Sequence, residues 1–197
     1  PFRNTNDAPS NWGEKLVLNK QKGAFTIELA LILAFVAGFF ALQVNYVVAT
    51  AKKGQMDRLA YSLASVLSER RELFRDEGNI CRRSGECNQL IEDMHSIAES
   101  AMTRMSNVFV PSRFGIRIEE LVVHTAHARY VVEEKGYVGC NFVPLRKLPD
   151  IVPITTRNRK LPVYKVSLCY QTPFNILGVA RGEFVDMVSS SFSFARI

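Results

Sequence analysis

The chain has 197 residues, which leaves about one domain's worth once a leader and a membrane helix are subtracted and fits a single compact module. Its formal net charge is +6, but Lys and Arg are spread among Asp and Glu instead of lying in one strip, so nucleic acid is not expected as a partner. A charge of this size fits solubility near anionic lipid.

Residues 1–22 are polar, with Asn, Asp, Pro and Lys and no sustained period, and they read as an unstructured leader. The chain opens on Pro1, not Met, so its natural start is expected upstream. Trp12, alone in this stretch, reads as an interface-seeking aromatic.

Residues 20–50 decide the rest. From Leu29 to Leu42 every residue is apolar or Gly, and the run continues to Ala49 with only Gln43 and Asn45 interrupting it. A helix from Ala24 to Ala49 would be roughly 39 Å long at about 1.5 Å per residue, against about 30 Å of hydrocarbon, which is enough to span. Glu28 is the exception in this run. A carboxylate at the bilayer centre costs on the order of 2.5 to 3.5 kcal/mol, less near the interface, and so marks a functional position. Small residues Ala34 and Gly38 would permit close helix approach.

The lead-in Gln21-Lys22-Gly23-Ala24-Phe25-Thr26-Ile27-Glu28 resembles the cleavage motif of type IV prepilins and pseudopilins. The resemblance implies cutting by a prepilin peptidase between Gly23 and Ala24 on the cytoplasmic face, leaving the apolar helix attached to its domain. A conventional secretory signal is instead cleaved after its apolar part. Cleavage would free an ammonium on Ala24, one helical turn from Glu28. The family implies that this carboxylate compensates the new amine of a neighbouring subunit during assembly, and opposite charges do attract strongly away from water. A helix N-terminus also favours an anion.

Beyond the span the helix is expected to continue, because Met56, Leu59, Leu63, Val66, Leu67 and Phe74 recur at helical spacing. Gly54 would loosen it, and Glu69, Arg70, Arg71 and Glu72 read as a wet face. The four cysteines, Cys81, Cys87, Cys140 and Cys169, all follow the span, and an even number on one side suggests a disulfide-permitting compartment. Three pairings are possible. The short CRRSGEC loop favours Cys81 with Cys87, which leaves Cys140 with Cys169. The longer loop would contribute roughly 3 kcal/mol in the chain-entropy model. The spacing lacks the CxxC pairs of a zinc site, so no metal is expected.

Lysines flank the span on both sides (Lys15, Lys20 and Lys22 before it, Lys52 and Lys53 after) and leave orientation open. The cysteines and the prepilin-like motif favour a cytoplasmic N-terminus and a periplasmic region after about Thr50.

Asn88 is expected to cap a second helix running to about Asn107, with Leu90, Ile91, Met94, Ile97, Ala98, Ala101, Met102 and Met105 on its packed face. His95, beside Asp93, reads as part of the polar face. After Pro111 the period changes. Phe114, Ile116 and Ile118 alternate with Gly115, Arg117 and Glu119; residues 130–132, 163–170 and 184–194 also read as strands. Turns are expected at Lys135-Gly136 and at Asn175 to Gly178, and Pro144 to Lys160 as a long loop. A helical half followed by an antiparallel sheet is an α+β order.

His124 and His127 would fall on opposite faces of a strand and read as surface residues. Ser189 to Ser193 lie in a strand-like run without an evident base. With no GxxxxGK[ST], GxSxG or HExxH motif, neither an enzyme nor a cofactor is expected.

A more specific resemblance lies in Asp57-Arg58-Leu59, Tyr61-Ser62-Leu63 and Glu69-Arg70, and in the run from Leu161 to Cys169 preceded by Gly136 and Cys140. These features are similar to those of TadF-type minor pseudopilins of the tight-adherence (Tad, or Flp) pilus. The resemblance implies a pilin-like fold, with the long N-terminal helix packed on a small antiparallel sheet. It implies residues 1–23 as cytoplasmic leader, 24–50 as transmembrane and assembly helix, and 51–197 as a periplasmic domain. The implied role is to initiate, cap or support pilus assembly for adhesion. The implied partners are the membrane, a prepilin peptidase, another minor pseudopilin, the major Flp pilin and the inner-membrane assembly machinery. Two rivals remain: a signal-anchored periplasmic sensory or ligand-binding domain, and a minor pseudopilin of type II secretion.

Overall fold

A computed structural model describes residues 12–74, 80, 84–123, 127–156, 158–173 and 184–195, with side chains in the first helix from Phe25 to Glu69. Two helices and four strands follow in order: α1 (Trp12–Phe74), α2 (Ser84–Met105), β1 (Phe114–Val123), β2 (Ala128–Gly136), β3 (Val163–Pro173) and β4 (Phe184–Phe194). The chain divides into two compact units, Pro1–Tyr46 and Val47–Ile197, each described by itself.

In the first unit every side chain over residues 25–44 is exposed. Phe25–Glu69 contains a window of mean hydropathy 2.3, so this part of α1 is long and apolar enough to cross a membrane. The helix begins earlier than expected. Residues 12–22, expected to be unstructured, belong to α1; Glu14, Lys15, Leu16, Leu18, Lys20, Gln21 and Lys22 are good helix formers and no Pro interrupts them.

The second unit is a helical layer on one face of a four-stranded antiparallel sheet of order β2-β1-β3-β4, an α+β architecture with the pilin-like order of elements. The α1 residues of this unit bury Met56, Leu59, Ala60, Leu63, Ala64 and Leu67, at i, i+3, i+4 spacing. Val66, expected on that face, is exposed, whereas the small Ala60 and Ala64 are fully buried there. Gly54 lies inside the helix, with open space where a Cβ would sit.

α2 starts at Ser84, so Asn88 is an exposed residue inside the helix and not its cap. Glu86 sits in the first turn, where the helix dipole favours an anion. Leu90, Ile91, Met94, Ala98 and Met102 are buried as the periodicity predicts, whereas Ile97 and Met105 are exposed.

Alternation along the strands sorts residues between the two faces. Phe114, Ile116 and Ile118 of β1 and Tyr164, Val166, Leu168 and Tyr170 of β3 join the helices in one core. The opposite face is covered by the segment 137–152, which brings Leu145 onto Leu121 and Val163, and Cys140 and Phe142 onto Cys169. That cover is aimed by Gly136, whose φ of 79° turns the chain at the end of β2. Tyr137 then crosses Gly115 and donates its N–H to the Phe114 carbonyl at 2.9 Å. Gly115 admits the crossing because it has no side chain; a Cβ there would overlap the Tyr137 backbone. The long loop at 144–160 contains short helical turns at Leu145–Lys147 and Pro149–Ile151 and a bridge between Ile154 and Lys160. The turn expected at Asn175 to Gly178 lies outside the described residues, as does His124.

Candidate functional site

Gly23 and Ala24 lie within α1, though their side chains are outside the described set. Glu28 is exposed one turn further along and has no ion-pair partner among the described residues. Its neighbours Phe25, Ile27, Leu29, Leu31 and Ile32 are 43–67% exposed. A helix apolar on all sides is stable only in lipid or against other apolar helices. This stretch is therefore a surface for lipid or for other apolar helices, with a single carboxylate placed near its start.

Cys140 and Cys169 form a disulfide with Cα atoms 6.0 Å apart, pinning the 137–152 cover to β3. Cys87 is also disulfide-bonded, and Cys81, its expected partner, lies outside the described residues. Among the described residues, no three His, Cys, Asp or Glu side chains converge where a metal ion would sit.

Beneath the same cover lies a charge network that alternation alone did not single out. Glu119, fully buried on β1, stands opposite Lys165 on β3, itself 6% exposed, with 3.3 Å between Oε2 and Nζ. Its Oε1 accepts from the Tyr130 hydroxyl, from the Leu145 N–H at 3.2 Å and from Arg117 at 3.2 Å. Lys165 donates to the Val143 carbonyl, and Arg117 pairs with Glu134 at 2.8 Å. Burial pushes the Glu119 carboxyl upward, but the Tyr130 hydroxyl, the Leu145 N–H and the Lys165 and Arg117 cations outweigh it and hold it below the ordinary range. Burial first, and then the hydrogen bond to Glu119, raise Tyr130 against the opposing Arg117 cation. Beside the network, Arg117, Tyr130, Val132, Glu134, Pro144 and Arg146 line an open groove of about 450 Å³.

On the helical face, Glu120 is also fully buried and accepts the Ile80 N–H at 3.0 Å. Burial, only partly offset by that N–H and by Arg129, pushes its carboxyl up to about 7. His95, expected on the polar face, instead packs its ring 5.7 Å from Phe114 with Nδ1 3.6 Å from Glu99. β1 passes under this part of α2, so the residue beside Asp93 turns inward while Asp93 stays exposed.

Finally, α1 is clasped to β4 just past the apolar run. Lys53 donates to the Val188 carbonyl at 3.1 Å and lies 3.7 Å from Asp57, which accepts from the Ser189 hydroxyl. Ser193 donates to Ser68 at 2.9 Å and Ser190 to Ser167 at 2.8 Å. The serine run of β4 thus serves helix and strand contacts. No single-sequence signal marks the helix partners, since Lys53, Asp57 and Ser68 each meet β4 across more than a hundred residues.

One family model, TadF, described as "Putative tight adherence pilin protein F", matches residues 16–196. No curated protein and no solved structure matches the chain.

Proposed function

The chain belongs to the tight adherence pilin protein F family, and from that premise we propose that this Tad pilus component is a minor pseudopilin, cut by a prepilin peptidase after Gly23 and retained in the inner membrane by its apolar helix. The observation that supports this reading best is the exposed apolar face over residues 25–44, broken by the one carboxylate at Glu28.

The proposed sequence of events follows from charge. Residues 1–23 are the cytoplasmic leader, residues 24–50 span and assemble, and residues 51–197 form the periplasmic domain. Hydrolysis of the uncharged Gly23–Ala24 peptide bond leaves a carboxylate on the departing leader and an ammonium on Ala24 at the membrane interface. Glu28, one turn along, offers a counter-charge to the amine of an adjacent subunit, so helices of neighbouring subunits are favoured in one stagger and disfavoured in others. Lateral packing of the apolar helices supplies the remaining contact, with another minor pseudopilin, the major Flp pilin and the inner-membrane machinery as partners. The chain is a peptidase substrate and a structural subunit.

Glu28→Val tests the carboxylate. The variant is expected to insert at least as well as the parent, since a charge leaves the apolar run, but to lose surface pili in electron micrographs. Normal piliation would remove the role assigned to Glu28. Deletion is expected to abolish pili and spare protein secretion; the reverse pattern would move the subunit to a type II secretion machine.

A further inference from the structure

Within the second unit α1 and β4 run in the same direction, since Lys53 meets Val188, Asp57 meets Ser189 and Ser68 meets Ser193. Position along α1 therefore sets the level of the residues at this end. Val185 precedes Val188 by three strand residues, about 10 Å, which corresponds to about seven residues of helix before Lys53. That is the start of the unit, where Val47 and Val48 of the apolar run stand exposed. Val185, exposed as well, thus lies level with the end of the run.

The link from α2 to β1 comes down to nearly the same level. α2 ends where the Gln55 amide donates to the Met105 carbonyl at 3.5 Å. The chain then turns, with the Phe109 N–H on the Ser106 carbonyl at 3.2 Å. Phe109 stacks inward on Tyr170 with ring centres 5.3 Å apart, and the Val110 N–H donates to the Tyr170 hydroxyl at 3.2 Å. Lys52 lies 6.0 Å from the centre of that ring. With Phe109 held inside, its neighbours Val108 and Val110 are turned out, Val108 to 71% exposure. Arg113, 4.1 Å over the Phe184 ring, ties this turn to the start of β4. Lys52 and Arg113 meet aromatic rings and, among the described residues, no carboxylate. The acids of α1 and β4 at this end are engaged: Asp57 by Lys53 and Ser189, and Asp186, on the other face of the sheet, by the Tyr137 hydroxyl at 3.2 Å.

We propose that this end of the second unit seats on the phospholipid bilayer from which α1 emerges. Val108, Val110 and Val185 enter the boundary between headgroups and acyl chains, and Lys52 and Arg113 meet lipid phosphates. The inference rests on the reading of α1 as a membrane span and goes beyond it, because it assigns a lipid contact to the folded unit. Two observations favour lipid over a protein partner. The turn sits at the level of Lys52, three residues or about 5 Å past Ala49, and the headgroup layer on each side of the hydrocarbon is about 5–8 Å deep. The cations at this level are also the ones left without a carboxylate, and an apolar tip flanked by cations is the composition that binds an anionic lipid surface.

The test reconstitutes the full chain in vesicles of phosphatidylglycerol and phosphatidylcholine that carry a nitroxide high on the acyl chain. An environment-sensitive fluorescent amino acid replaces Val108 or, as a comparison, Val143. Val143 is exposed on the 137–152 cover, where its carbonyl meets Lys165, five residues along β3 from Tyr170. Emission from position 108 is expected to shift to the blue and to be quenched, and emission from position 143 to do neither. Lys52→Gln together with Arg113→Gln should lower the ratio of seated to free chains about 25-fold, about fivefold per cation, at an unchanged thermal midpoint. A benzophenone amino acid at position 108, irradiated in piliated cells, should yield a lipid adduct. An unquenched position 108, equal quenching at position 143, an unchanged ratio in the double variant, or a protein adduct in place of the lipid one would overturn the proposal. Flotation separates this inference from the reading beneath it. A chain that floats with the vesicles but stays unquenched sinks the seat alone, whereas a chain that does not float removes the membrane span and the seat with it.

Discussion

Glu119 and Glu120 are neighbours on β1 that point to opposite faces of the sheet, and their surroundings push their acidities in opposite directions. Glu119 is held low by its hydroxyl, amide and cationic partners despite burial; Glu120 is raised to about 7 chiefly by burial. For Glu119 the stabilising contribution is present above its unfolded value of 4.5 and is lost as pH falls. Glu120 works the other way: its contribution is intact below 4.5 and is lost as pH rises toward 7, a change of about 3 kcal/mol by proton linkage. Glu120→Gln should therefore flatten the decline in unfolding free energy between those limits, measured by denaturant titration of the detergent-solubilised chain. An unchanged profile would show that Glu120 is not buried as described. Glu119→Gln should cost about 3 kcal/mol or more at neutral pH in the same measurement, because it leaves Lys165 buried without its anion; a loss under about 0.5 kcal/mol, the range of ordinary surface changes, would contradict the network. Strand alternation in the sequence correctly set Glu119 opposite Ile118. It could not show that the face carrying Glu119 is roofed by residues 137–152, since that depends on the turn at Gly136.

At the level of elements, the strands were legible because their side chains alternate, and the continuation of α1 was legible because Met56, Leu59 and Leu63 recur every turn. Ends were less so. Asn88 is a good cap by residue type, but the helix already runs through it from Ser84. Residues 12–22 lack an apolar stripe and so carry no periodic signal, although their helix propensity suffices once α1 extends through them. His95 turned inward because β1 lies below it, which no local pattern announces. The sharpest test at this scale is Gly115→Ala. The added methyl meets backbone, not a flexible side chain, so the 137–152 cover must lift; the expected loss is about 3 kcal/mol in denaturant unfolding. A loss near zero would mean that Tyr137 does not cross Gly115 as described.

For the whole molecule, the order of one long helix, a second helix and then an antiparallel sheet was readable from the change of period after Pro111, and the apolar run of α1 from composition alone. The contacts that join them were not. Lys53, Asp57 and Ser189 meet through the register of β4, and the buried carboxylates are satisfied by groups as distant in sequence as Ile80 from Glu120 and Lys165 from Glu119. The functional claim lies at this scale as well, because an exposed apolar helix is stable only in lipid or against other apolar helices. Gly23→Glu, which places a bulky charge at the proposed junction, should leave a longer chain carrying its leader, whereas Gly23→Ala is too small a change at a small-residue site to discriminate. The central measurement is the intact mass and N-terminal sequence of the protein extracted from membranes of peptidase-competent cells. A mature chain beginning at Ala24 is the predicted result, and an uncut Lys22-Gly23-Ala24 junction in those cells would contradict the account.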